Sequence, residues 1–268
     1  MMNHVTMTSV AVPAALLAVA LSGSAQAHFQ LLYTPNTMLD TPGDVPLRLV
    51  FAHPMDNGHV MDMGEPVELF VVFRGEKTDL ADALEPVSWT GAHNQATAYA
   101  LDYRVTRNGD YVFALIPSPY FEASEDAYIQ QITKTYLNKG AMPTGWDEPL
   151  GLPTEIVPLN KPYQILAGGT FSGQLLSEGE PAAGVECEVE WLNTTIDVAA
   201  NAFGAETRMA APPTPIVTRT DANGVFTFGV PKPGVWGFAC LGSGPVTEFD
   251  GKELSQDAVI WVNAIALE

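Results

Sequence analysis

"VPLRLVFAH", Val45 to His53, sets Val45, Leu47, Leu49, Phe51 and His53 on one face and a mixed set on the other. A period of two is the signature of a β-strand. The same pattern recurs in "EPVELFVVFR", where Val67, Leu69, Val71 and Phe73 share a face. "GDYVFALIP" (Gly109–Pro117) reads as a third strand and "TAYALDYRV" (Thr97–Val105) as a fourth. Short alternating runs between Gly and Pro punctuation predict an all-β protein built of β-sandwich units. Only "FEASEDAYIQQITKTYLN" (Phe121–Asn138) has helical character, and its pattern is ambiguous, so at most short helices are expected.

A boundary is expected near "EIVPLNKPYQILAGG", where two prolines and paired glycines interrupt the pattern. It divides the chain into residues 28–158 and 159–268. In the second unit Val185, Cys187, Val189 and Trp191 alternate with three glutamates, and Trp236, Phe238 and Cys240 alternate similarly. Asp221–Gly224 reads as a turn between strands. "NTTIDVAANAFGAETRMAAPPTPI" is too long for a hairpin turn and reads as a mobile excursion.

Residues 1–27 read as a secretory signal peptide. The apolar run "VAVPAALLAVAL" (Val10–Leu21) is too short to span a bilayer, and Ala25-Gln26-Ala27 supplies the cleavage site. No Lys or Arg precedes the run. Cleavage after Ala27 places the chain in the periplasm, soluble, without a membrane anchor, starting at His28. Two core-facing cysteines in an oxidising compartment read as one disulfide, Cys187–Cys240, with two buried thiols as the alternative. The net charge of −19 argues against nucleic acid and anionic membranes and is compatible with a cationic ligand. A solvated acidic surface accounts for it equally well.

Cleavage would free an α-amino group on the residue that carries an imidazole. Amine and ring Nδ1 together close a six-membered chelate around a metal ion, and an α-amine with a pKa of ~7.7–8.0 gives up its proton readily. "FAHPMDNGHVMDMGEP" adds His53, Met55, His59, Met61 and Met63. If Val60–Met63 form a strand, His59, Met61 and Met63 project from one face, and Asn57-Gly58 turns His53 back toward it. Imidazole suits nickel, cobalt and copper, while thioether selects softer ions, Cu(I) above all. The methionines read equally as core filler. The candidate metal ligands are therefore His28, His53, His59, Met61 and Met63. His93 reads as a loop histidine. Glu122, Glu125 and Asp126 read as a helix N-terminus or as hard ligands and supporting groups around a metal. No nucleophile motif appears, so no enzyme is expected.

"AHFQLLYTP", "FAHPMDNGHVMDMGEP", "PSPYFEASEDAYIQQITKTYLN", "GWDEPLGLPTEIVPL" and "TDANGVFTFGVPKPGVWGF" follow one another in an order that resembles a family of exported bacterial proteins. Its members are described as periplasmic components of nickel or cobalt uptake systems (NikM-like). The resemblance covers nearly the whole chain after Ala27. It implies a transition-metal ion as cargo and a membrane metal-uptake transporter as partner, and its identifying pieces map onto His28, His53, Met61, Asp62 and Met63. It also implies a transthyretin-like or carboxypeptidase-regulatory-like C-terminal β-sandwich. In some members a His stands in the segment where this chain has Gln130 and Gln131. A periplasmic copper carrier with an N-terminal His site is the alternative function; a copper oxygenase and a metal-free β-sandwich module are weaker ones.

Overall fold

The computed structural model describes residues 28–212 and 214–266. The expected leader, residues 1–27, lies outside the described residues. The protein is all-β. Its described residues form strands and loops apart from one short 3-10 turn, Ala81–Ala83.

Val45, Leu47, Leu49 and Phe51 do share a face. With Leu69, Val71, Phe113 and Leu137 they form one core between two sheets. The strand that carries them, Gly43–Ala52, sits in a 7-stranded sheet between Phe29–Tyr33 and Gln95–Val105. Facing it is a 12-stranded sheet that runs without a break from Ile216–Arg219 at one edge to Glu76–Asp79 at the other. A 4-stranded sheet around Thr170–Ser177 covers the C-terminal part of the larger sheet. Phe171, Phe226, Phe238 and the buried disulfide lie between them. Asp221 accepts the N–H groups of Asn223 and Val225 through Oδ1, and Gly224 closes the expected turn at φ 72°.

The segment with helical character is a strand. Ala127–Lys139 lies inside the 12-stranded sheet, antiparallel to Gly109–Ile116 and parallel to Lys252–Ile265. From Gln130 to Lys139 every residue is buried, because both faces of this central strand are covered. A strand covered on both faces shows no polar alternation, and its polar residues must be paired inside the protein. Glu122, Glu125 and Asp126 consequently belong to no helix N-terminus; they flank the hairpin between Tyr120–Glu122 and Ala127–Lys139. The long excursion is likewise folded. Ile196–Asp197 and Ala202–Phe203 extend the 7-stranded sheet, and Phe203 meets Trp89 edge-on at 5.1 Å. Asn193 donates to the carbonyls of Met55 and Met209 and so ties the excursion to the His53 loop.

Cys187 and Cys240 face each other in register on neighbouring strands and form the disulfide. Denatured, unreduced protein is expected to show no free thiol. Replacing both cysteines by alanine should cost about 2–4 kcal/mol in a urea titration. Two titratable thiols per chain would contradict the bridge.

Candidate metal centre

His28 precedes the strand Phe29–Tyr33, and Gln131 fixes the backbone that follows it, on either side of Phe29. Gln131 Nε2 donates to the His28 carbonyl at 2.8 Å, and Gln131 Oε1 accepts the Gln30 N–H at 2.6 Å. Asp257 anchors the same amide at 3.3 Å. Gln130 points to the other side, donating to the Pro117 carbonyl at 2.8 Å. Gln131 thus holds the backbone at His28, whereas Gln130 is tied to Pro117 and Gln256 and does not reach it.

The His28 ring packs among His53, Phe51 and Tyr120, with centroids 4.5, 5.7 and 6.4 Å away. Its Nε2 lies 3.0 Å from Glu122 Oε2. The other carboxylate oxygen accepts the Ser124 hydroxyl and N–H at 2.5 and 2.9 Å. The Ser124 hydroxyl is the largest influence on Glu122, and with the Ser124 N–H and His28 it holds the carboxyl below its usual range against burial. An ionised carboxylate only accepts, so the proton of the ring sits on Nε2, and in the neutral ring Nδ1 carries the lone pair.

His53 directly follows the strand Gly43–Ala52. It is 8% exposed, and among the described residues neither Nδ1 nor Nε2 has a hydrogen-bond partner. Gly58 closes over it: a Cβ on Gly58 would stand 3.1 Å from His53 Nδ1 and 2.8 Å from Asp56 Oδ1, so only glycine fits without displacing the ring. Asn57, at φ 55°, turns the chain into this position, and the Gly58 N–H returns to the His53 carbonyl at 3.2 Å. Burial, then the positive form of His28, pushes the His53 pKa down to about 4. Such a ring is neutral throughout the physiological range. The unfolded ring titrates near 6.5 and takes up a proton first, so stability should fall as pH drops from about 6.5 towards 4. The expected loss is about 1–3 kcal/mol, and it should be smaller in His53→Asn when unfolding free energy is followed against pH. Equal slopes in the two proteins would remove His53 from the account.

The remaining expected ligands go elsewhere. His59 is exposed, whereas Met61 and Met63 are buried in the core between the two large sheets. Met61 and Met63 keep the expected common face, but it packs inward, and His59, ahead of the strand Val60–Met61, is exposed and does not join it. Met63 Sδ accepts from Gln30 Nε2 at 3.4 Å, and Met55 lies in the C-terminal core with its N–H on Glu190 Oε2. Burial pushes the Glu190 pKa up to about 9, so this contact is made to a neutral carboxyl. Glu122 is the site residue that sequence reasoning placed only loosely. Among the described residues, no group of three or more His, Cys, Asp or Glu side chains is arranged to hold a metal ion.

The family described as "Domain of unknown function (DUF4198)" matches residues 25–244. The chain belongs to that family. The match takes in His28, His53, Glu122 and both cysteines. No curated protein matches the chain in sequence. Among solved structures, the D0-D1 domain of intimin is 11% identical, covering 88% of this chain and 99% of its own, with a TM-score of 0.21. The Escherichia coli adhesin FdeC is 15% identical over 87% of this chain and 62% of its own, with a TM-score of 0.23. The adhesin InvE of Yersinia pseudotuberculosis is 11% identical over 86% and 58%, with a TM-score of 0.21.

Proposed function

We propose that the processed protein is a periplasmic carrier that captures a divalent transition-metal ion, nickel or cobalt, and passes it to a membrane uptake system. The observation that carries this reading is His53. A buried, neutral imidazole with two unpartnered nitrogens costs about 1–3 kcal/mol relative to a satisfied one. A ligand that accepts its lone pair offsets that cost, and the His28 ring lies beside it.

Three nitrogens then converge: the α-amine freed at His28, its Nδ1, and one nitrogen of His53. The amine is not a side chain, and in this reading it is the donor that completes the set. Gly58 covers the Nδ1 edge of His53, leaving Nε2 as the donor. Glu122 orients the His28 ring from behind, the arrangement found around metal-bound imidazoles. With Met61 and Met63 in the core, the donors are nitrogens of borderline softness, which suit Ni(II), Co(II) and Cu(II) better than Cu(I). The family resemblance read from the sequence points to nickel or cobalt.

Copper carriage is the second reading, because an amine with two imidazoles binds Cu(II) more tightly than Ni(II) whatever the biological cargo. Affinity alone therefore does not separate the two. Protein isolated from the periplasm of cells grown nickel-replete and copper-limited should carry nickel, or cobalt where that is supplied. Copper in that preparation would favour the second reading, and metal-free protein that takes up no ion in calorimetry would end both.

A further inference from the structure

The capture site uses one of two histidine couples. His59 and His93 are both exposed, with ring centroids 5.8 Å apart and planes inclined by 36°. A two-point lock one residue beyond each of them sets this spacing. Asn94 Oδ1 accepts the Val60 N–H at 3.0 Å, and Asn94 Nδ2 donates to the Val60 carbonyl at 2.7 Å. The Asn94 carbonyl also accepts the Gly91 N–H at 2.8 Å, closing the loop that presents His93. A Cβ on Gly91 would stand 3.1 Å from Val60 Cγ1, so the two segments approach as closely as glycine allows. Both backbones are fixed and only the side-chain torsions remain free. Two imidazoles held in this way can share one ion at the ~2.0–2.1 Å bond lengths usual for ring nitrogen.

We infer that His59 and His93 form a second, solvent-facing metal site of two imidazoles, from which a divalent ion passes to the His28–His53 couple. One backbone turn joins the couples: Gly58, next to His59, abuts the His53 ring and bonds its carbonyl. Two imidazoles bind weakly and exchange fast, while a chelating amine with two rings binds more tightly, so transfer runs inward. The transfer rests on the capture reading; the outer site does not.

The test is titration of processed protein with Ni(II) alone, by calorimetry and by rapid mixing at limiting metal. Wild type should take up one ion tightly and a second weakly. In His93→Ala, an exposed position, the weak ion should bind ~10-fold less tightly or not at all. Its tight ion should remain but load several-fold more slowly. His28→Ala should keep the weak ion alone. Two unchanged ions in His93→Ala would overturn the outer site and leave the capture reading standing. Tight binding that survives His28→Ala but not His93→Ala would overturn the capture reading and leave the outer site. Loss of the weak ion without slower loading would overturn the transfer.

Discussion

A protein that carries one extra methionine ahead of His28 is expected to bind Ni(II) ~10–100-fold more weakly than one that begins at His28, or worse. The extra residue turns the His28 nitrogen into an amide, a poor ligand, and moves the free amine beyond reach of Nδ1. Nothing else changes: Gln131 still holds the His28 carbonyl and the Gln30 N–H, and the ring still meets Glu122. Thermal unfolding of the two metal-free proteins should therefore coincide. His28→Ala and His53→Ala should lose at least as much affinity, and Gln131→Ala a smaller part by loosening the chain start. Acid should weaken binding in all of them, because protons compete for the amine and the rings. Equal Ni(II) affinity with and without the extra methionine would make the terminal amine a bystander.

The parts of this fold that face one core were legible and the parts buried on both sides were not. Val45 to Phe51 alternate because one face packs on Leu69 and Phe113 while the other side is partly open. Ala127–Lys139 gave no such signal, since ten consecutive residues from Gln130 are buried and several are polar. The polar ones find partners far away in sequence: Gln131 at His28 and Asp257, Lys134 at Glu155, Asn138 at Asp110. The site divides in the same way. His28 and His53 could be singled out by residue type and, for His28, by the expected cleavage after Ala27. Glu122 joins them only because the hairpin of Tyr120–Glu122 with Ala127–Lys139, a strand whose Gln131 also holds His28, brings the carboxylate to the ring. Met61 and Met63 alternate with exposed Asp62 and share one core, as the core-filler reading has it, while His59 is exposed outside that core.

Replacing Lys134 by methionine is expected to cost about 3–5 kcal/mol of stability. Lys134 lies in the middle of the central strand, its side chain 1% exposed, with Nζ 2.7 Å from Glu155 Oε2. Burial lowers its pKa and the Glu155 charge opposes that shift. Glu155 is also buried, and its oxygens accept the N–H groups of Leu150 and Gly151 at 2.8–3.0 Å. Without the ammonium, the buried Glu155 loses the counter-charge that these amides do not supply. Methionine fills much of the lysine's volume, so the loss reports the stranded charge more than a cavity. At ~2–4 °C per kcal/mol for a chain of this size, the midpoint should drop by roughly 6–20 °C. Adding Glu155→Gln should recover part of it, since a buried pair replaced as a whole is often close to neutral. A Lys134→Met protein within about 1 kcal/mol of wild type would show that the pair is solvated after all. The same strand holds His28 through Gln131, three residues before Lys134. The double variant, once folded, should therefore bind Ni(II) as wild type does, because the pair acts on the strand's stability and touches none of the donors.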